Sequence, residues 1–273
     1  MKKPINNPTQ QITDWLTLFG STLEQRDFTA AVGLFAADSY WRDLIAFTWN
    51  IKTAEGQADI GAMLTTTVAH NEPSDWCIDG EAVSNGDLTE AWFTFETVVA
   101  RGQGHIRLKE GLCHTLLTAM QELKGFEEKK GRKRVPGIQH VASKNRKNWL
   151  RLRQQEEAEL GYNQQPYCVI IGGGQGGIAL AARLRRLSVP TIIVEKNEQA
   201  GDSWRNRYDS LCLHDQVWQN DLPYLPYPDD WPVFIPKDKM GDWLEVYTKI
   251  MELNYWHSTE CKGASYNEET GTW

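Results

Sequence analysis

What this chain lacks narrows its class before any motif is considered. Its five cysteines, Cys77, Cys113, Cys168, Cys212 and Cys261, are odd in number and widely spread, and no C-x-x-C pair occurs. That argues against a disulfide framework or a cysteine zinc site and suits a reducing, cytoplasmic compartment. No run approaches the ~20 apolar residues that a membrane-spanning helix needs. The opening MKKPINNPTQQ has no apolar centre and does not read as a secretory leader. A net charge of −7 gives no global bias towards nucleic acid. Internal repeats are absent. What remains is a soluble globular composition, 41% hydrophobic and 24% charged over 273 residues, for which two domains are expected. The twelve tryptophans are spread over both halves and read as packing anchors rather than one binding platform.

Tyr167 to Glu195, YCVIIGGGQGGIALAARLRRLSVPTIIVE, is the most informative stretch. Cys168 to Ile171 is a short apolar run suited to a strand buried on both faces. Gly172, Gly174 and Gly177 then occupy the three slots of G-x-G-x-x-G. The first glycine permits a tight turn, the second lets phosphate approach the backbone, and the third lets the next helix pack closely on the sheet. That helix would present Ile178, Ala181, Ala182, Leu184 and Leu187 to the core, with Arg183, Arg185 and Arg186 on its wetter side, and aim its N-terminus at a pyrophosphate. Thr191 to Val194 reads as a second strand, and Glu195 falls where ribose hydroxyls need an acceptor. Glu195, followed by Lys196, can accept bonds from an unphosphorylated ribose and would repel a 2′-phosphate, which favours FAD or NAD over NADP at this site. A glycine-rich turn without ligand is the plainer alternative.

Residues 10–123 read as an α+β domain. Ile12, Trp15, Leu16, Phe19 and Leu23 follow helical spacing, and Asp27 caps a second short helix holding Ala31, Leu34 and Phe35. Strands are expected over 39–49, Trp76–Val83, Glu90–Val99 and Gly111–Glu122, with a helix over 56–70 and turns at Asn85-Gly86 and at Gly102 and Gly104. Asp43, His105 and His114 are the candidate acid/base groups, against a plainer reading as rim or satisfied core residues. Residues 124–163 form a linker. Its first thirty residues hold eleven lysines and arginines against Glu127 and Glu128, and it ends in a charged helix, Asn148 to Leu160. The compensating acids elsewhere favour a solvated tether over a nucleic-acid patch.

LFAADSYWRD, the helix beginning near GQADI and LCHTLLTAMQELKG resemble the nuclear transport factor 2-like (SnoaL-like) cone fold. After Glu195, a disulfide reductase would need a C-x-x-x-x-C pair, whereas Cys212 stands alone, and an amine oxidase would typically carry Gly-Gly-Arg where Gly201-Asp202-Ser203 stands. Gly201-Asp202-Ser203-Trp204-Arg205, RYDSLCLHD, LPYLPYP and WPVFIPKDKMGDWLE instead resemble the flavin-containing monooxygenases and their Baeyer–Villiger-type relatives, in the subgroup that carries a cone-fold domain before the flavin domain. The resemblance covers most of 10–273 and is most specific over 166–260.

It implies an α+β cone-shaped domain followed by an α/β Rossmann-like FAD-binding domain, over 164–273, the latter incomplete. The implied activity is NADPH-driven monooxygenation, in which one atom of O2 passes through an oxygen adduct of reduced FAD to a small organic substrate. FAD would lie on Gly172, Gly174, Gly177, Glu195 and Lys196 and along Gly201 and Trp204. His214 matches a position where many relatives carry asparagine near the reactive ring edge and is the catalytic candidate; Asp215 is weaker. A second glycine fingerprint for NADPH and the family's F-x-G-x-x-x-H are absent, so the NADPH site is expected outside this sequence, which reads as an N-terminal fragment inactive alone. The alternatives are a non-catalytic protein with a vestigial flavin fold that could form a homodimer through its N-terminal domain, and another FAD-dependent oxidoreductase.

Overall fold

Residues 7–137 and 146–273 are described by a computed structural model, in which the chain divides into two units, Met1–Glu127 and Glu128–Trp273. The first unit opens with helix α1 (Pro8–Glu24), whose N-terminus is capped by the Asn7 side chain accepting from the Thr9 amide at 3.1 Å. The apolar spacing places Ile12, Trp15, Leu16, Phe19 and Leu23 in the core, as expected. Asp27 caps α2 (Phe28–Gly33) through Ala30 N at 2.9 Å. That helix is shorter than predicted: Leu34 ends it and Phe35 begins strand β1 (Phe35–Leu44). After β1 come β2 (Ile51–Glu55), α3 (Gly56–Asn71), β3 (Ser74–Asn85), β4 (Leu88–Glu96), β5 (Ala100–Lys109) and β6 (Leu112–Leu123). The strand order is β2-β1-β6-β5-β4-β3, with only the β1–β6 pair parallel.

Two expectations fail here for identifiable reasons. The strand expected over 39–49 stops at Leu44, because the Asp43 carboxylate gathers the Phe47 and Thr48 amides and turns the chain back into β2. Gly102 and Gly104 are not turn residues; both lie inside β5. A Cβ at Gly102 would sit 2.2 Å from the Phe95 ring, and one at Gly104 would sit 2.1 Å from the Phe93 ring. These glycines therefore exist to seat two rings. With Trp15, Phe19, Phe35, Trp41, Phe47 and Trp76, those rings fill the space between sheet and helices at centroid spacings of 4.8 to 6.4 Å.

The second unit contains α4 (Trp149–Glu159), capped by Asn148, then β7 (Cys168–Ile171), α5 (Gln175–Arg186), β8 (Thr191–Val194), α6 (Asp202–Arg205), α7 (Lys237–Ile250) and β9 (Tyr255–Trp256). The three strands form a parallel sheet in the order β7-β8-β9. Ile170 and Ile193 meet Ile178, Ala181 and Ala182 of α5, while Met240, Leu244 and Tyr247 of α7 complete the core. The strand expected to be buried on both faces is not: β7 is an edge strand with Val169 and Ile171 exposed. Leu187 is likewise 39% exposed, because α5 ends at Arg186 and leaves it beyond the packed face. Arg185 is drawn from the wet side to Glu156 of α4 at 2.8 Å. Of the basic linker, Arg153 pairs with Glu156 and Asn254, whereas Lys144 lies outside the described residues. No helix among the described residues is long and apolar enough to cross a membrane.

Candidate dinucleotide site

The turn from β7 into α5 is built by its glycines. Gly172 has φ +101°, a conformation that side chains rarely adopt, and a Cβ at Gly177 would stand 2.1 Å from the Gly172 carbonyl oxygen. Gly174 caps α5 with φ −75°, and a Cβ there would meet nothing nearer than Ser203 Oγ at 3.8 Å. At Gly176 a Cβ would meet nothing within 4 Å. The first two requirements are set by the backbone itself. The space at Gly174 and Gly176 is instead open, in front of the unpaired N–H groups of the first turn of α5, which is the shape and polarity that a pyrophosphate fits.

That space belongs to a cleft of about 650 Å³ lined by Gly174, Gln175 and Gly176, by Ser203, Trp204 and Arg207, and by the segment Leu211 to Asp215. Each wall has a physical cause. Helix α6 is held against α7 because Arg205 bonds Asp202, Asp242 and Glu245 at 2.8 to 3.1 Å. Gly201, at φ +93°, fits only because it lacks a side chain, since its Cβ would lie 2.1 Å from the Gly241 carbonyl oxygen. Trp204 Nε1 then donates to Gln175 Oε1 at 2.8 Å, tying α6 to the first residue of α5. The far wall is fixed by Leu213 N donating to Ile235 O at 2.8 Å and Lys237 N donating to Leu211 O at 3.0 Å. Those bonds carry Cys212 and the exposed His214 into the cleft.

Gly174, Trp204 and His214, far apart in sequence, thus share one cavity. Gly172, Gly177 and Gly201 shape it from behind. Glu195 is 7% exposed and lies under the turn, where Oε2 accepts from Gly173 N at 2.7 Å and Oε1 accepts from Asn197 N at 2.8 Å. Lys196 is exposed, and neither residue is among the cleft's lining. Sequence reasoning missed Gln175 and Arg207, which G-x-G-x-x-G leaves unspecified, and Tyr255, whose hydroxyl donates to Gly173 O at 2.9 Å. Burial, with the charges of Glu195 and Asp202 nearby, pushes the Tyr255 hydroxyl upward, so it stays a proton donor.

The acid/base candidates of the first unit are not brought together as a catalytic set. Asp43 is fully buried and accepts from Phe47 N, Thr48 N, Thr48 Oγ1 and Thr118 Oγ1, the last also receiving Trp41 Nε1 at 2.9 Å. It is a satisfied core carboxylate. His105 packs edge-on to Trp92 beside Glu90. Burial lowers its pKa, Glu90 opposes that shift and Arg107 adds to it. His114 faces Asp38 at 3.8 Å.

No family model matches the chain. It is 37% identical over 106 residues to a probable indole-3-pyruvate monooxygenase (YUCCA3) of Arabidopsis thaliana, covering 38% of this chain and 24% of that protein. It is 31% identical over 109 residues to indole-3-pyruvate monooxygenase YUCCA1 of Oryza sativa subsp. japonica, covering 40% and 27%. An uncharacterized CzcO-like oxidoreductase of Geobacillus kaustophilus is 37% identical over 92 residues, covering 34% and 26%. The chain therefore spans roughly a quarter of the length of these curated relatives.

Among solved structures, a flavin-containing monooxygenase from Stenotrophomonas maltophilia gives a TM-score of 0.35 at 22% identity, covering 37% of this chain and 31% of that one. An NTF2-like protein with a cystatin-like fold from Novosphingobium aromaticivorans gives 0.34 at 14% identity, covering 42% and 82%. The chain is thus similar to monooxygenase-type oxidoreductases over part of its length.

Proposed function

We propose that this chain supplies the flavin-binding portion of an FAD-dependent, NADPH-driven monooxygenase acting on a small organic substrate. The observation that carries the reading is the cleft in which the open glycine turn, Trp204 and His214 converge. FAD, when bound, would supply electron transfer and activation of O2. The protein's own part is to bind and orient it. The amides at the start of α5 would hold the pyrophosphate, and the Arg207 guanidinium at the cleft would offset its charge. Glu195 stands outside the cleft's lining, so a ribose hydroxyl would meet it beyond the cleft, where each of its oxygens keeps a second lone pair, with Lys196 alongside. Trp204 would pack along the cofactor, its ring already oriented by Gln175. His214, exposed on the cleft wall, would hydrogen-bond at the reacting end.

For the first unit, the ring-filled interior and the satisfied Asp43 support a non-catalytic role over an enzymatic one, and homodimer formation is the role proposed for it. A second glycine fingerprint is absent from the sequence, so NADPH would be bound elsewhere in the working enzyme. The test is reconstitution of the chain with FAD, followed by gel filtration and absorbance in the flavin bands. One flavin per chain is expected, with no NADPH oxidation. A folded chain that retains no flavin refutes the reading, and FAD-dependent NADPH oxidation by these residues refutes the division of labour.

A further inference from the structure

The glycine run is longer than the fingerprint requires. Gly173 occupies an x position in G-x-G-x-x-G, and its φ does not lie in the left-handed region, so neither the motif nor the backbone demands glycine there. The tertiary structure does. A Cβ at Gly173 would lie 2.1 Å from Tyr255 Oη and 2.4 Å from its Cζ. The two residues are 82 positions apart, and their contact is a hydrogen bond, Tyr255 Oη to Gly173 O at 2.9 Å. On the other side of the same residue, the Gly173 N–H donates to Glu195 Oε2 at 2.7 Å.

Both polar groups of Gly173 are therefore held by side chains anchored in the sheet. Glu195 directly follows β8, and Tyr255 lies in β9, paired with Ile193 of β8. Glu195 is anchored further by Asn197 N at 2.8 Å and by its own amide donating to Trp256 O at 2.8 Å. This arrangement fixes the orientation of the peptides on either side of Gly173. The peptide that follows carries the N–H of Gly174, the first residue of the turn to line the cleft.

We propose that Tyr255 is a positioning residue for the phosphate-binding turn: with Glu195 it locks Gly173 so that the Gly174 amide and the first turn of α5 are preorganised towards the pyrophosphate of a dinucleotide. This rests on the dinucleotide reading above. The benefit of the lock is that no ordering of the turn is left to be done on binding. It also assigns Glu195 a task beyond the ribose and explains why a third consecutive glycine is present.

The test uses the whole 273-residue chain and two readouts, FAD affinity by flavin fluorescence and amide hydrogen exchange resolved over 172–176. Tyr255→Phe removes one hydrogen bond and keeps the ring, so FAD affinity is expected to fall roughly three- to tenfold. Exchange is expected to rise over 172–176 and to stay unchanged in β8. Gly173→Ala is expected to abolish binding through the clash, and Gly173→Ala combined with Tyr255→Ala to regain part of it, which assigns the clash to Tyr255; exchange loosened over 172–176 alone in Tyr255→Phe is the readout that a merely structural tyrosine would not move. Unchanged exchange over 172–176 in Tyr255→Phe, or no rescue by the double variant in a folded chain, overturns the proposal. If the wild-type chain binds no FAD yet Tyr255→Phe still loosens 172–176 alone, the lock stands and the flavin reading fails.

Discussion

Alanine at Gly174 and alanine at Gly177 should separate binding from folding. At Gly177 the added Cβ would stand 2.1 Å from the Gly172 carbonyl oxygen and 3.2 Å from Ile170 Cγ2, both of them fixed parts of the unit. Overpacking costs about 1–3 kcal/mol, and a contact this close to fixed backbone belongs at the upper end, about 2–3 kcal/mol. The better helix propensity of alanine returns about 0.8–1 kcal/mol, leaving a net loss of about 1–2 kcal/mol. For a unit of this size, that is a fall in Tm of very roughly 2–8 °C. At Gly174 the Cβ enters open space and φ is −75°, so the only folding cost is the poorer capping by alanine, at most about 1 kcal/mol.

The same Cβ at Gly174 occupies the position that phosphate must approach. Losing two charge-assisted amide bonds at about 1.5–3 kcal/mol each lowers FAD affinity by at least about a hundredfold. Thermal melts and flavin fluorescence titrations on the two variants would check both halves. A Gly174→Ala chain that melts like wild type and binds FAD like wild type refutes the phosphate cradle. A Gly177→Ala chain as stable as wild type refutes the packing argument.

Asp43→Asn should destabilise the first unit by about 2–3 kcal/mol, because the amide loses the negative charge shared by these donors and its nitrogen cannot accept from the Phe47 and Thr48 amides or the Thr118 hydroxyl. Urea denaturation measures this, and an unchanged midpoint would contradict the assigned structural role. Acid should weaken the second unit through Glu156. Burial opposes its ionisation, but hydrogen bonds from Arg185 and Asn254 and the charge of Arg153 hold its pKa at about 2. A folded value below the unfolded one contributes stability above about pH 4.5 that is lost as pH falls towards 2. After solvent screening the contribution is on the order of 1 kcal/mol. It should vanish in Glu156→Gln, whose stability should depend less on pH across that window; an identical pH dependence in both chains would count against the pairing.

Local signals were legible where they depend on near neighbours. The cap at Asp27 and the apolar spacing of α1 both act within a few residues, and the structure has them where the sequence puts them. Gly102 and Gly104 were misread because glycine serves equally in turns and beneath a neighbouring ring, and only the register of β4 against β5 brings Phe93 and Phe95 over them. Val169 and Ile171 were misread because an apolar run does not reveal whether its strand lies at the edge or the centre of a sheet.

By itself the sequence determined the strand–turn–helix–strand unit around Gly172 to Val194, since glycine spacing, an apolar strand and an amphipathic helix are all encoded within about thirty residues. It also carried the likeness to monooxygenases. Only the tertiary structure decided that Gly174, Trp204 and His214 line one cleft, that Gly201 faces α7, and that Tyr255 reaches back to Gly173. The reason is physical: contacts across tens of residues depend on how helices and strands pack, and no local spacing rule records which distant side chain will fill the place that a glycine leaves open.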